Sequence, residues 1–100
     1  MPLDEEIVQR LMELGTECEF HAGQVMIHLG EPGSGLFLIT QGTVFVRAPE
    51  GESEHGPGEV VGELALLTRD GIRSAQVTAK TDVRAVAIDR VTLEREGLIR

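Results

Sequence analysis

From Glu19 onward the apolar residues of this chain recur at every second position, in short runs closed off by glycine or proline. A period of two places successive side chains on opposite faces of a strand, and glycine or proline between runs marks the turns. Val25, Ile27 and Leu29 alternate with Gln24, Met26 and His28. Leu36 to Thr40 is apolar on both faces, as a strand buried in a sandwich is. Val44 and Val46 share one face of the strand Thr43 to Arg47, and Ala75, Val77 and Ala79 share one face of Ser74 to Lys80. Val83 to Ile88 is apolar on both faces apart from Arg84. About six to eight short strands in roughly 70 residues predict a mainly β fold, a β-roll or double-stranded jelly roll. The acidic stretch Pro49 to Glu54 reads as an exposed hairpin tip, a solvated loop without a function.

Helices are expected to flank the roll. Asp4 is a good N-cap, Glu5 and Glu6 suit the positive end of a helix dipole, and Leu3 is placed to staple to Val8. Ile7, Val8, Leu11, Met12 and Leu14 then recur at helical spacing, and Gly15 suits the helix end. This stripe is read as packing on its own sheet rather than as a partner surface. A second helix is expected to begin near Asp89, with Gly97 interrupting it.

One hundred residues without an internal repeat or linker are expected to form a single domain, 1–100. Such a domain buries roughly 60–65% of its unfolded surface. No long apolar run and no leader pattern is seen, so neither a membrane span nor a signal peptide is expected. The single Cys18 cannot form an internal disulfide and fits a reducing cytoplasm, where it reads as a small hydrophobe. Nine basic residues against seventeen acidic ones give a net charge of −8. That balance argues against nucleic-acid binding by this chain, which needs a basic stripe. It also repels anions at long range, so local features must draw in any anionic ligand.

Those features stand together at Gly62-Glu63-Leu64-Ala65-Leu66-Leu67, followed by Arg73-Ser74-Ala75. A short apolar helical turn after a glycine offers free backbone N–H groups to a phosphate, and Gly62 lets the backbone approach without a Cβ. Arg73, ten residues after Glu63, can add a two-pronged charged hydrogen bond. The Ser74 hydroxyl can donate to the same phosphate. Glu63 would repel that anion and suits a sugar hydroxyl instead. A small molecule with both a phosphate and a ribose hydroxyl satisfies all of them.

This stretch resembles the phosphate-binding cassette of the cyclic nucleotide-binding domain family, which includes catabolite activator proteins, kinase regulatory subunits and cyclic-nucleotide-gated channels. Further matches are Phe20 to Ile27, Gly30 to Ile39, Gln41-Gly42-Thr43-Val44 and Gly56-Pro57-Gly58-Glu59, so the resemblance runs from about Ile7 to Leu93. It implies a regulatory module, not an enzyme, with no cofactor and with cAMP or cGMP as its ligand. The phosphate would lie on the Gly62 to Ala65 turn, including Leu64, and be held by Arg73 and Ser74, with Glu63 on the ribose 2′-hydroxyl. Val46 and Val61 stand where family members line base and sugar with apolar groups. Serine after the arginine leans the preference towards cAMP. Binding would bias the C-terminal helix and signal to an output domain or partner absent from this chain. The helix that usually closes over the base looks truncated at Arg100, so the lid lies outside this chain or a partner supplies it.

Two alternatives stay open. Glu63 and Arg73 would form a structural salt bridge in a domain of the same fold with an empty pocket, an interaction module. A metal-dependent, cupin-like enzyme is disfavoured, because His21, His28 and His55 include no closely spaced pair.

Overall fold

The computed structural model describes residues 4–28, 35–62 and 75–98. A helix, α1 (Glu5–Leu14), leads into strands β1 (Thr16–Phe20), β2 (Val25–Ile27), β3 (Gly35–Gln41), β4 (Val44–Ala48), β5 (Gly51–His55), β6 (Val60–Val61), β7 (Gln76–Ala79) and β8 (Val83–Asp89), and a short helix, α2 (Arg90–Arg95), follows. The strands form two four-stranded antiparallel sheets, ordered β1-β8-β3-β6 and β2-β7-β4-β5. The mainly β roll with flanking helices expected from the period-two pattern is the observed architecture.

The first sheet is the middle layer, which is why β3 and β8 are apolar on both faces. Leu36, Leu38, Val60, Val86 and Ile88 pack against Leu11 and Val8 of α1 and Leu93 of α2. The opposite face, with Phe37, Ile39, Val61, Val83 and Ala85, packs against Ile27, Val44, Val77 and Ala79 of the second sheet. Phe20 and Phe37 meet edge to face, with ring centroids 5.7 Å apart. Cys18 is half-buried beside this interior, and burial pushes its thiol pKa up, which suits an inert hydrophobe.

Asp4 caps α1 as expected, its Oδ1 accepting from the Glu6 N–H at 2.8 Å. Leu3 lies outside the described residues. Only part of the α1 stripe is covered: Leu11 is buried, whereas Ile7 and Met12 stay exposed. Gly15 ends α1 in extended geometry, with φ −92° and ψ 178°, not in the left-handed conformation of a glycine cap. Glycine is needed there for space, because a Cβ would lie 2.2 Å from Val86 Cγ1 and 2.8 Å from the Ala87 carbonyl oxygen.

The other differences also have local causes. A register shift between Val25 and Ile27 pairs Val25 with Thr78 but Ile27 with Val77, breaking the simple alternation expected for β2. The acidic stretch does not stay a loop: the turn is confined to Pro49 and Glu50, and Gly51 to Glu54 belong to β5, laddered to β4. Arg47–Glu52 at 3.1 Å and the Lys80–Glu54 contact relieve its charge on the outer face. Asp89 caps α2 by accepting from the Thr92 N–H, and this hydrogen bonding with Thr92 holds its carboxyl below the usual range. Gly97, at φ +73°, does not merely weaken the helix. Leu98 N–H donates to the Leu93 carbonyl at 2.9 Å and Gly97 N–H to the Glu94 carbonyl at 3.1 Å, a Schellman ending that tucks Leu98 against the core.

Candidate functional site

The chain leaves the first sheet at Val61 and rejoins the second at Gln76. Glu63, Leu64, Ala65, Arg73 and Ser74 lie between these points and outside the described residues. The flanks of the segment are defined. β6 is anchored on β3 through Val60↔Leu38 and Val61↔Phe37. Its two residues point opposite ways, Val60 into the helix-facing cluster and Val61 into the interior between the sheets. Gly62 follows at φ +88°, a left-handed conformation in which a side chain is strained.

On the other wall, Val46 of β4 is half-buried and packs on the same interior cluster as Val61. Its ladder partners are Val77 on β7 and Ser53 on β5. The roll therefore brings Val46 and Val61, far apart in sequence, to one apolar interior, with Gly62 directly after Val61.

The structure adds a polar group that the sequence reading missed. Directly paired residues of neighbouring strands project to the same face. Val44, opposite His55, is fully buried in the interior, and Val46, opposite Ser53, packs against it. Ser53 and His55 therefore lie on the inward side of β5, at its edge. Ser53 Oγ is 2.9 Å from His55 Nε2, and His55 Nδ1 is 3.3 Å from Glu59 Oε1. Glu59 Oε2 accepts from the Gly56 N–H at 2.7 Å. The Gly56 hydrogen bond holds the Glu59 carboxyl below its ordinary 4.5, against a partial desolvation that pushes it up, and His55 adds to the lowering. Reading residues 49–54 as a loop hid this group. The two-residue spacing of Ser53 and His55, continued as a strand, was the available signal.

Because the folded-state pKa of Glu59 is lowered, its contribution to stability is complete above the ordinary carboxylate range. It is lost as pH falls through the lowered value. Glu59→Gln should therefore lower the melting temperature at neutral pH and flatten its decline in acid. A thermal melting series over pH in which parent and variant run parallel would contradict this.

Among the described residues, no group of three or more His, Cys, Asp or Glu side chains is placed to hold a metal ion. No described helix is long and apolar enough to cross a membrane.

Residues 17–96 match the model of the cyclic nucleotide-binding domain, and the chain belongs to that family. It is 37% identical over 81 residues to a CRP-like cAMP-activated global transcriptional regulator of Mycobacterium tuberculosis, covering 75% of this chain and 36% of that protein. It is 40% identical over 67 residues to a cyclic nucleotide-gated potassium channel of Mesorhizobium japonicum, covering 67% of this chain and 18% of the channel. The chain thus spans about a third or less of these relatives. A solved structure from a study of a cyclic-GMP-dependent signalling pathway in bacterial phytopathogenesis superposes with a TM-score of 0.85 at 28% identity, covering 94% of this chain and 78% of that one.

Proposed function

We propose that this chain, acting as one domain over 1–100, binds a 3′,5′-cyclic mononucleotide in the roll and passes that state to an output domain or partner protein. The observation that carries the proposal is the ordered motif Gly62-Glu63-Leu64-Ala65 with Arg73-Ser74, inside the segment that matches the family. In this reading the phosphate lies on the turn from Gly62 to Ala65 and is held by Arg73 and Ser74. Glu63 accepts the ribose 2′-hydroxyl, and Val46 and Val61 line base and sugar. The cAMP-activated mycobacterial relative supports cAMP as the preferred ligand. The chain acts as a cytoplasmic sensor and has no chemistry of its own to perform.

The route to an output runs through β6. Val61 faces the interior while its neighbour Val60 packs in the cluster that holds Leu93 of α2. A ligand that shifts β6 would change the seat of α2, and differential contact with two positions of that helix would form the switch.

Calorimetric titration with cAMP and cGMP tests the reading; no heat of binding with either would leave a structural interaction domain. Ribose recognition gives a sharper check. The 2′-deoxy analogue should bind more weakly by about 1.5–3 kcal/mol, the range for a hydrogen bond to a charged group, and Glu63→Gln should shrink that gap. Equal affinity for ribo and deoxy ligands would take Glu63 off the 2′-hydroxyl.

A further inference from the structure

The group at the inward edge of β5 bears on which purine the proposed site prefers. A carboxylate can only accept hydrogen bonds, so Glu59 fixes the proton of a neutral His55 ring on Nδ1. Nε2 then has only a lone pair, and the Ser53 hydroxyl must donate to it. Ser53 Oγ is left with acceptor capacity alone. When the ring is charged, Nε2 carries a proton and donates to Ser53, whose own hydrogen is released to point elsewhere. One hydroxyl thus changes from acceptor to donor with the charge of its neighbour.

We propose that Ser53, exposed at the open edge of the interior, reads the six-position of the bound purine, with His55 as the positioning residue whose charge sets whether that hydroxyl accepts or donates. The inference rests on the cyclic nucleotide reading above. Ser53 is the cross-strand partner of Val46, the residue assigned to the base wall. Adenine presents an amine donor at its six-position and guanine a carbonyl acceptor. The neutral ring therefore favours cAMP, and the charged ring shifts preference towards cGMP. Among the described residues, Glu59 is the charged group that faces His55. Arg47 with Glu52 and Lys80 with Glu54 belong to the outer face of β4, β5 and β7.

The test is the ratio of cGMP to cAMP dissociation constants, measured by calorimetry at about pH 8.5 and about pH 5.5, a span across which imidazoles change charge. Both ligands share phosphate and ribose, so titration around those parts cancels in the ratio. In the parent the ratio should fall about two- to tenfold on acidification, the worth of one neutral hydrogen bond. In Ser53→Ala and in His55→Gln it should be independent of pH, with melting temperatures confirming that both fold. A parent ratio that does not move, or an equal pH response in Ser53→Ala, overturns this proposal while leaving nucleotide binding in place. Failure of the parent to bind either nucleotide overturns the function proposed above, and this inference with it.

Discussion

Arg73→Ala should weaken cyclic nucleotide binding by about 2–5 kcal/mol, the cost of removing one partner from a desolvated charge pair. That is about 30-fold or more in affinity. In a chain of net charge −8, the proposed site must draw an anion in by local charge, and Arg73 is the cation that the motif supplies. Loss of the guanidinium should therefore remove most of the attraction. A lysine at the same place restores the charge without the two-pronged geometry, so Arg73→Lys should recover only part of the affinity. Calorimetry on both variants, with thermal melting to confirm the fold, checks this. Parent-like affinity in Arg73→Ala would take the residue out of the site.

Gly42→Ala should destabilise the domain by about 3 kcal/mol, from left-handed backbone strain together with overpacking. Gly42 sits at φ +89°, and a Cβ there would lie 2.2 Å from the Asp82 carbonyl oxygen and 2.9 Å from Thr81 Oγ1. Neither neighbour can easily move. Thr81 Oγ1 accepts from the Thr43 N–H at 3.0 Å, and Thr43 in turn accepts from the Lys80 N–H at 2.9 Å. Asp82 Oδ1 accepts from the Ala22 N–H at 2.9 Å, so three turns are tied together at this end of the roll. Gly23 shares a positive φ of 89° but has open space around it, so Gly23→Ala should cost less. Chemical denaturation of the two variants measures the difference, and equal midpoints would show that the contact with Asp82 relaxes freely.

The strands and caps were legible because each depends on neighbours in the chain. A strand buried on both sides must be apolar on both faces, and Leu36 to Ile39 and Ala85 to Ile88 show it. Asp4 and Asp89 cap the next turn of chain, which needs no tertiary partner. The shape of the hairpin was less legible. Gly51 to Glu54 carries no apolar signal, because an edge strand that ends in solvent has one face wet and the other at the open side of the interior.

What the sequence alone determined is the family, the period-two roll and the order of the motif from Gly62 to Ser74, since these are patterns of adjacent residues. Tertiary structure decided which residues share a surface. It set Val46 and Val61 on one interior, turned Val60 towards the helices, and required glycine at position 15 for room beside Val86 rather than for a turn. It also set Ser53 and His55 opposite Val46 and Val44, on the inward side of β5. Register between strands fixes such meetings, and register depends on hydrogen bonds between segments distant in the chain, which local sequence does not encode.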